Sequence, residues 1–203
     1  ELRDLLVVHP IESTWFGPTY HTMTPAEKEA ENERLIAVRC ALLKENIDFD
    51  YGDEEMMSRH ARVSGKTFSI AEADYKAVVL PRMRTIRTTT LNLLKTFAEN
   101  GGKVVYVGEI PQYADGLKSE RTAEIYKLFT PATENTLAEA VAPVVRNVSI
   151  QADGREIDPV LSSIHQSNDF STLFLCNTGM NQTTAQYSAP LSRDRTLAFP
   201  SAR

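Results

Sequence analysis

A parallel α/β fold followed by an antiparallel β segment is predicted by three observations. Short, continuous apolar runs recur at Leu5–Val8, Tyr75–Leu80 and Lys103–Gly108, as strands covered on both faces require. Between them lie stretches of helical periodicity with marked starts and stops, so strand and helix alternate through about residue 145, which argues for helices on both faces of the sheet. After Arg146 the texture changes to short strands separated by turn residues, suggesting an incomplete antiparallel sandwich. The predicted division is 1–146, α/β, and 147–203, strand-rich.

The rest is organised around Arg3 to Ile47. Leu5-Leu6-Val7-Val8 forms the first strand, and His9 to Met23 a long loop. A helix then runs from Pro25 to about Asn46. Thr24 can cap it, Pro25 suits the first helical position, and Glu27 completes a Thr-x-x-Glu capping box. Leu35, Ile36, Val38, Cys40, Leu42, Leu43 and Ile47 give it an apolar face. Ile47–Tyr51 is a second strand, and Asp53 caps a short helix from Glu54 to Arg59. Arg62–Ile70 reads as a hairpin turning at Ser64-Gly65-Lys66.

Tyr75–Leu80 is the third strand, stopped by Pro81. Thr88 caps a helix from Thr89 to Glu99 whose inward face is Leu91, Leu94, Phe97 and Ala98, and Asn100-Gly101-Gly102 ends it. Lys103–Gly108 is the fourth strand. Ser119 caps a helix to about Phe129, and Asn135–Ala142 is helical up to Pro143. A flavodoxin-like strand order, 2-1-3-4, is the natural arrangement of such a chain. Beyond it, strands are expected at Val148–Ile150, Val160–His165, Thr172–Asn177 and Arg195–Phe199, with turns at Ala152–Arg155 and Asn177–Asn181.

Composition narrows the function. A chain of 203 residues, 42% hydrophobic, can bury a substantial core. Its net charge is -5 with both signs interspersed, so neither nucleic acid nor a membrane surface is an expected partner. No apolar run approaches the roughly 20 residues of a membrane span. Cys40 and Cys176 are isolated and read as buried thiols rather than a disulfide framework. The chain starts almost directly on a core strand and stops at Thr196–Arg203 with a strand under way, which predicts a piece of a longer protein. The lack of a signal-peptide pattern and of a disulfide framework favours the cytoplasm.

Most chemical motifs are missing. A phosphate cradle would follow the first strand, but that loop opens His9-Pro10-Ile11-Glu12. Ser13-Thr14 near Gly17 could hold a phosphate; against this, Pro10 and Pro18 remove amides and Glu12 adds the wrong charge, so no cofactor is expected. A nucleophile elbow needs Ser or Cys at a strand-to-helix turn, whereas the fourth strand ends Val107-Gly108-Glu109. The histidines, His9, His21, His60 and His165, lack ligand spacing, so no metal is expected. Asp48, Asp50, Asp53, Glu54 and Glu55 read as a solvated turn with one helix cap rather than a pair of glycosidase carboxylates. Two glycosylation sequons begin at Asn147 and Asn181.

The first loop is the remaining candidate site. His9, Glu12, Trp15, Phe16, Tyr20 and His21 combine aromatic faces with hydrogen-bonding groups, the mixture that holds sugars. The competing reading packs Trp15 and Phe16 onto a neighbouring domain or the sheet edge.

Leu5 to Trp15, Ile47 to Glu54, Tyr75 to Pro81 and Leu91 to Gly108 together resemble a domain of large bacterial glycoside hydrolases, the β-galactosidase trimerisation domain. That resemblance implies a flavodoxin-like or class I glutamine amidotransferase-like fold without amidotransferase chemistry. It places the domain after a catalytic barrel and before β-sandwich domains, and Ser163–Gly179 looks like the opening of one of these. It carries no catalytic residue to this chain. The expected role is non-catalytic: packing on other domains of the same polypeptide, supporting homo-oligomers, and lending the first loop to a carbohydrate cleft. Two further readings stay open. One is a stand-alone carbohydrate- or cofactor-binding module, and the other an amidotransferase-like enzyme using Cys40 or Cys176.

Overall fold

The computed structural model describes residues 2–16, 22–157, 160–178 and 196–198. The chain runs through β1 (Leu5–Val8), α1 (Ile11–Phe16), α2 (Pro25–Leu43), β2 (Asp50–Gly52) and α3 (Glu54–His60). An antiparallel excursion follows, β3 (Ala61–Ser64), β4 (Thr67–Ile70) and β5 (Ala73–Tyr75), before β6 (Ala77–Leu80), β7 (Thr85–Ile86), α4 (Thr88–Glu99) and β8 (Lys103–Val107). Then come β9 (Tyr113–Ala114), β10 (Leu117–Lys118), α5 (Arg121–Tyr126), β11 (Thr130–Ala132) and α6 (Glu134–Val145). Five strands complete the description: β12 (Ser149–Ala152), β13 (Arg155–Glu156), β14 (Val160–Gln166), β15 (Ser171–Asn177) and β16 (Thr196–Ala198).

The central sheet has five parallel strands in the order β11-β8-β6-β1-β2. Counted along the chain this is 2-1-3-4-5, so the expected order holds and gains a fifth strand. All side chains of β1 and β6 are buried, and their alternation serves two layers. Leu5, Val7, Ala77 and Val79 pack with Val38 and Leu42 of α2 and Leu137 and Val141 of α6. Leu6, Val8, Val78 and Leu80 pack with Met57 of α3, with Leu91, Leu94 and Phe97 of α4, and with Ile125 of α5. The helices after β1 and β6, α2 and α4, therefore leave on opposite faces.

Local signals account for the ends. Thr24 and Glu27 form the reciprocal capping box on α2, and Asp53 accepts from the Met56 N–H at 2.9 Å. After α4, Gly101 takes φ +83°, and the Gly102 N–H returns to the Phe97 carbonyl at 2.8 Å. Asp153 and Gly154, at φ +51° and +74°, make the two-residue turn joining β12 to β13.

Several elements differ from expectation. The first loop is not wholly irregular: residues 11–16 form α1. Tyr75 belongs to β5, paired with Phe68, and the buried third strand starts at Ala77. Thr88 opens α4 rather than capping it, and Arg87 holds the cap position. Ser119 is not a cap either, because α5 starts at Arg121 and ends at Tyr126. Pro143 lies inside α6 instead of ending it. The strand β11 falls between two predicted helices, in a stretch given no element. Cys176 is exposed rather than buried, while Cys40 is half-buried.

The segment after α6 forms the expected hairpins. β14 and β15 pair antiparallel over seven residues each, and β12 pairs with β13 and β16. Val148, Ile150 and Val160 make a small core of their own, flanked by Ile157, Ile164 and Leu173. The expected turn at 179–181, the second sequon and Phe199 lie outside the described residues.

Candidate functional site

Ligands of open α/β sheets bind outside the carboxyl ends of the strands, where neighbouring strands send their helices to opposite faces. Here that place lies beyond β1 and β6, between α1, the start of α2 and the β6–β7 corner. Ser13 builds its floor. Its buried hydroxyl donates to the Thr85 carbonyl at 2.8 Å and accepts from the Arg84 and Thr85 N–H groups at 3.0 and 3.2 Å. This bond set holds α1 against a corner more than seventy residues away.

A cavity of about 460 Å³ opens there, with Pro10, Met23, Leu35 and Pro81 as apolar walls. Its charged walls are Lys28, Arg34, Arg82 and Arg84 against Glu29 and Glu31. Arg34 and Arg84 both donate to one oxygen of Glu31, at 2.9 and 2.6 Å. Arg82 pairs with Glu109 at 3.0 Å. A neighbouring hollow of about 330 Å³ lies over Phe16, Met83, Ile110 and Tyr113. A larger one, about 730 Å³, is a groove between α2 and α6 with small side chains such as Ala37, Cys40 and Ala138 along it and charged ones such as Lys44, Glu139 and Arg146 at its sides. It runs along the outer surfaces of two helices rather than opening where β1 and β6 part, so the smaller crevice is the better-placed site.

The sequence-predicted residues do not converge. The His9 ring meets Tyr51 edge-on at 5.4 Å, and its backbone N–H donates to the Gly52 carbonyl at 2.8 Å. Glu12 accepts from Arg87 Nε and Nη2 at 2.6 and 2.5 Å. Trp15 is 75% exposed, and Phe16 stacks at a tilt on Tyr113 at 4.7 Å. Tyr20 and His21 lie outside the described residues. Arg34, Arg82 and Arg84 had no local sign of a shared cavity; the Ser13-Thr14 pair, both of which line it, and the capping box at Thr24 were the nearest available signals.

The acidic cluster around β2 is more structured than a solvated turn. Asp48 and Asp50 accept from Arg3 at 3.1 and 2.5 Å, and Asp50 also accepts from the Tyr75 hydroxyl at 3.1 Å. Glu54 is only 2% exposed and accepts from the Arg87 N–H at 2.8 Å. Burial pushes its carboxyl up to about 7; the Arg87 N–H and Thr90 hydroxyl oppose this, Glu12 adds to it and the Arg87 charge opposes it. Asn147, in the first sequon, is half-buried, and its amide donates to Asp4 at 2.9 Å.

Among the described residues, no group of three or more His, Cys, Asp or Glu could hold a metal ion, and no helix is long and apolar enough to cross a membrane. The turn after β8 presents Gly108 and Glu109 where an elbow nucleophile would stand.

No protein family and no curated protein matches this sequence. Solved structures do. The chain is similar to part of the apo exo-carrageenase GH42 from Bacteroides ovatus, with TM-score 0.53 and 12% identity over 88% of this chain and 23% of that one. The likeness is one of fold. This chain spans less than a quarter of that enzyme's length. Weaker matches are a rhamnosidase from Novosphingobium sp. PP1Y, TM-score 0.47, 12% identity, 64% and 14% covered, and Gan42B, a GH42 beta-galactosidase, TM-score 0.39, 16% identity, 59% and 16% covered.

Proposed function

We propose that this chain is a non-catalytic assembly domain of a glycoside hydrolase, of the flavodoxin-like, β-galactosidase trimerisation type. The observation that carries this reading is the fold of 88% of the chain recurring within 23% of a GH42 enzyme chain. The strand ends support it, since the turn after β8 offers neither Ser nor Cys for acyl chemistry. The exposed side chains at the same end of the molecule support it too. Trp15 and Leu117 are 75% and 74% exposed, and Phe16 lies against the Gly116 corner. Apolar groups of this size on one rim suit a packing surface. In this reading they bury against neighbouring domains of the same polypeptide or a second copy, with Trp15 at the edge of a carbohydrate cleft.

The test is turnover. The purified chain, assayed at high concentration against a panel of nitrophenyl glycosides, is expected to release nitrophenol no faster than buffer. Hydrolysis abolished by replacing a single carboxylate would overturn the assignment. The exposure of Trp15 also favours a second reading, a carbohydrate-binding module. Trp15 is the chain's single tryptophan, so its fluorescence reports on that surface directly. Saturable quenching by a neutral oligosaccharide would favour the second reading.

A further inference from the structure

We infer that the crevice beyond β1 and β6 is a binding site for an acidic sugar, a ligand of one or two rings carrying a carboxylate or a sulfate ester. Its location is the one at which doubly wound sheets hold ligands. Its volume of about 460 Å³ lies in the range of small-molecule pockets. The reading does not depend on the assembly role proposed above.

Charge sets the ligand class. The whole chain carries a net charge of -5, yet this cavity presents Lys28, Arg34, Arg82 and Arg84 against Glu29 and Glu31, with Glu109 paired to Arg82 at its edge. Arg34 reaches the cavity from α2 and Arg84 from the β6–β7 corner, and both converge on one Glu31 oxygen. A single carboxylate thus holds two guanidinium groups together. Each guanidinium has five N–H donors in a planar fork suited to carboxylate or sulfate oxygens. Glu31 acts as an internal stand-in: an anionic ligand engages the groups it has already gathered.

The remaining walls select for a polyol. Thr14, Asn32 and Glu29 offer donors and acceptors for hydroxyl groups. Pro10, Pro81 and Leu35 cover an apolar ring face. Among the described residues, the cavity walls are aliphatic and polar. The floor is rigid, because the Ser13 hydroxyl is fixed by three hydrogen bonds.

The test is isothermal titration of the full chain at low salt with glucuronate, glucose 6-sulfate, glucose and inorganic sulfate. Binding of either acid, with glucose silent and sulfate weaker, supports the site, and the tighter acid identifies the source of the charge. Arg34→Gln is expected to weaken binding roughly tenfold, as loss of a charge-assisted hydrogen bond does. Arg34 lies on the partly exposed face of α2 with Glu31 as its ion-pair partner, so this variant is expected to fold. Glu31→Gln keeps an acceptor oxygen between the two guanidinium groups and removes only the charge with which the ligand competes, so it is expected to shift affinity the other way, tightening it several-fold. A merely structural role for Glu31 would not produce this opposite sign. No heat with either acid, equal affinity for inorganic sulfate, or unchanged binding in Arg34→Gln overturns the proposal. None of these outcomes bears on glycoside turnover.

Discussion

Burial holds the Glu54 carboxyl near neutrality, and this makes one side chain a source of pH-dependent stability. The group lies at the start of α3 under Arg87, with Glu12 and Tyr126 also acting on or feeling its charge. Its folded-state value of about 7 is above the ordinary 4.5. A raised carboxyl favours the folded state fully below the ordinary value and loses that advantage as pH climbs through about 7. Glu54→Gln keeps an acceptor for the Arg87 N–H and removes the charge. The variant is therefore expected to gain on the parent between pH 5 and 8, by on the order of 2–3 kcal/mol at the upper end. Thermal melts across that range measure it, and parallel pH profiles would contradict it. The sequence placed Glu54 in a solvated turn because its neighbours are acidic. The backbone N–H from which it accepts is 33 residues away along the chain.

Helix α4 shows the same limit for a whole element. Its first N–H groups are capped from a distance: Asp115, in the turn between β9 and β10, accepts from the Thr88 N–H at 3.0 Å and the Thr88 hydroxyl at 2.5 Å. Asp115 itself has φ +49°, which Asn tolerates better than Ala. Asp115→Ala is expected to cost about 1 kcal/mol or somewhat more in urea unfolding, and Asp115→Asn to recover most of it. Equal midpoints for the two variants would show that the cap contributes nothing. Signals confined to three or four residues were legible in the sequence, as the Thr24–Glu27 box, the Asp53 cap and the Asn100–Gly102 stop demonstrate. The strands β7, β9, β10 and β11 were not, since they are too short to show a period, and Pro131 interrupts the last. The crevice was equally hidden, because Ser13 meets Thr85 across 72 residues and Glu31 meets Arg84 across 53.

At the scale of the whole molecule, the parallel sheet and the strands after α6 meet at Glu156. Its side chain is 6% exposed and accepts from Ser149, from the Ile150 N–H at 2.9 Å and from the Asn46 amide at 3.0 Å. Arg146 links the same seam to Glu45 at 2.7 Å. Burial alone would raise the Glu156 carboxyl, but its donors from Ser149, Ile150 and Gln151 and the Arg146 charge outweigh it and hold the group below the ordinary range. A lowered carboxyl stabilises the fold above about 4.5, and that contribution is lost as pH falls through the folded value. Beyond the seam, β12, β14 and their neighbours have their own small core of Val148, Ile150 and Val160. We propose on this basis that residues 147–203 form a unit separable from residues 1–146. Glu156→Ala strands the Asn46 amide and the Ile150 N–H, and is expected to cost about 2–3 kcal/mol. The loss should be uneven. In hydrogen exchange, amides of β12, β14 and β15 should lose protection well before those of β1, β6 and β8, as cooperative units opening separately do. Equal loss across both sets would make the chain a single unit and remove the division at Arg146.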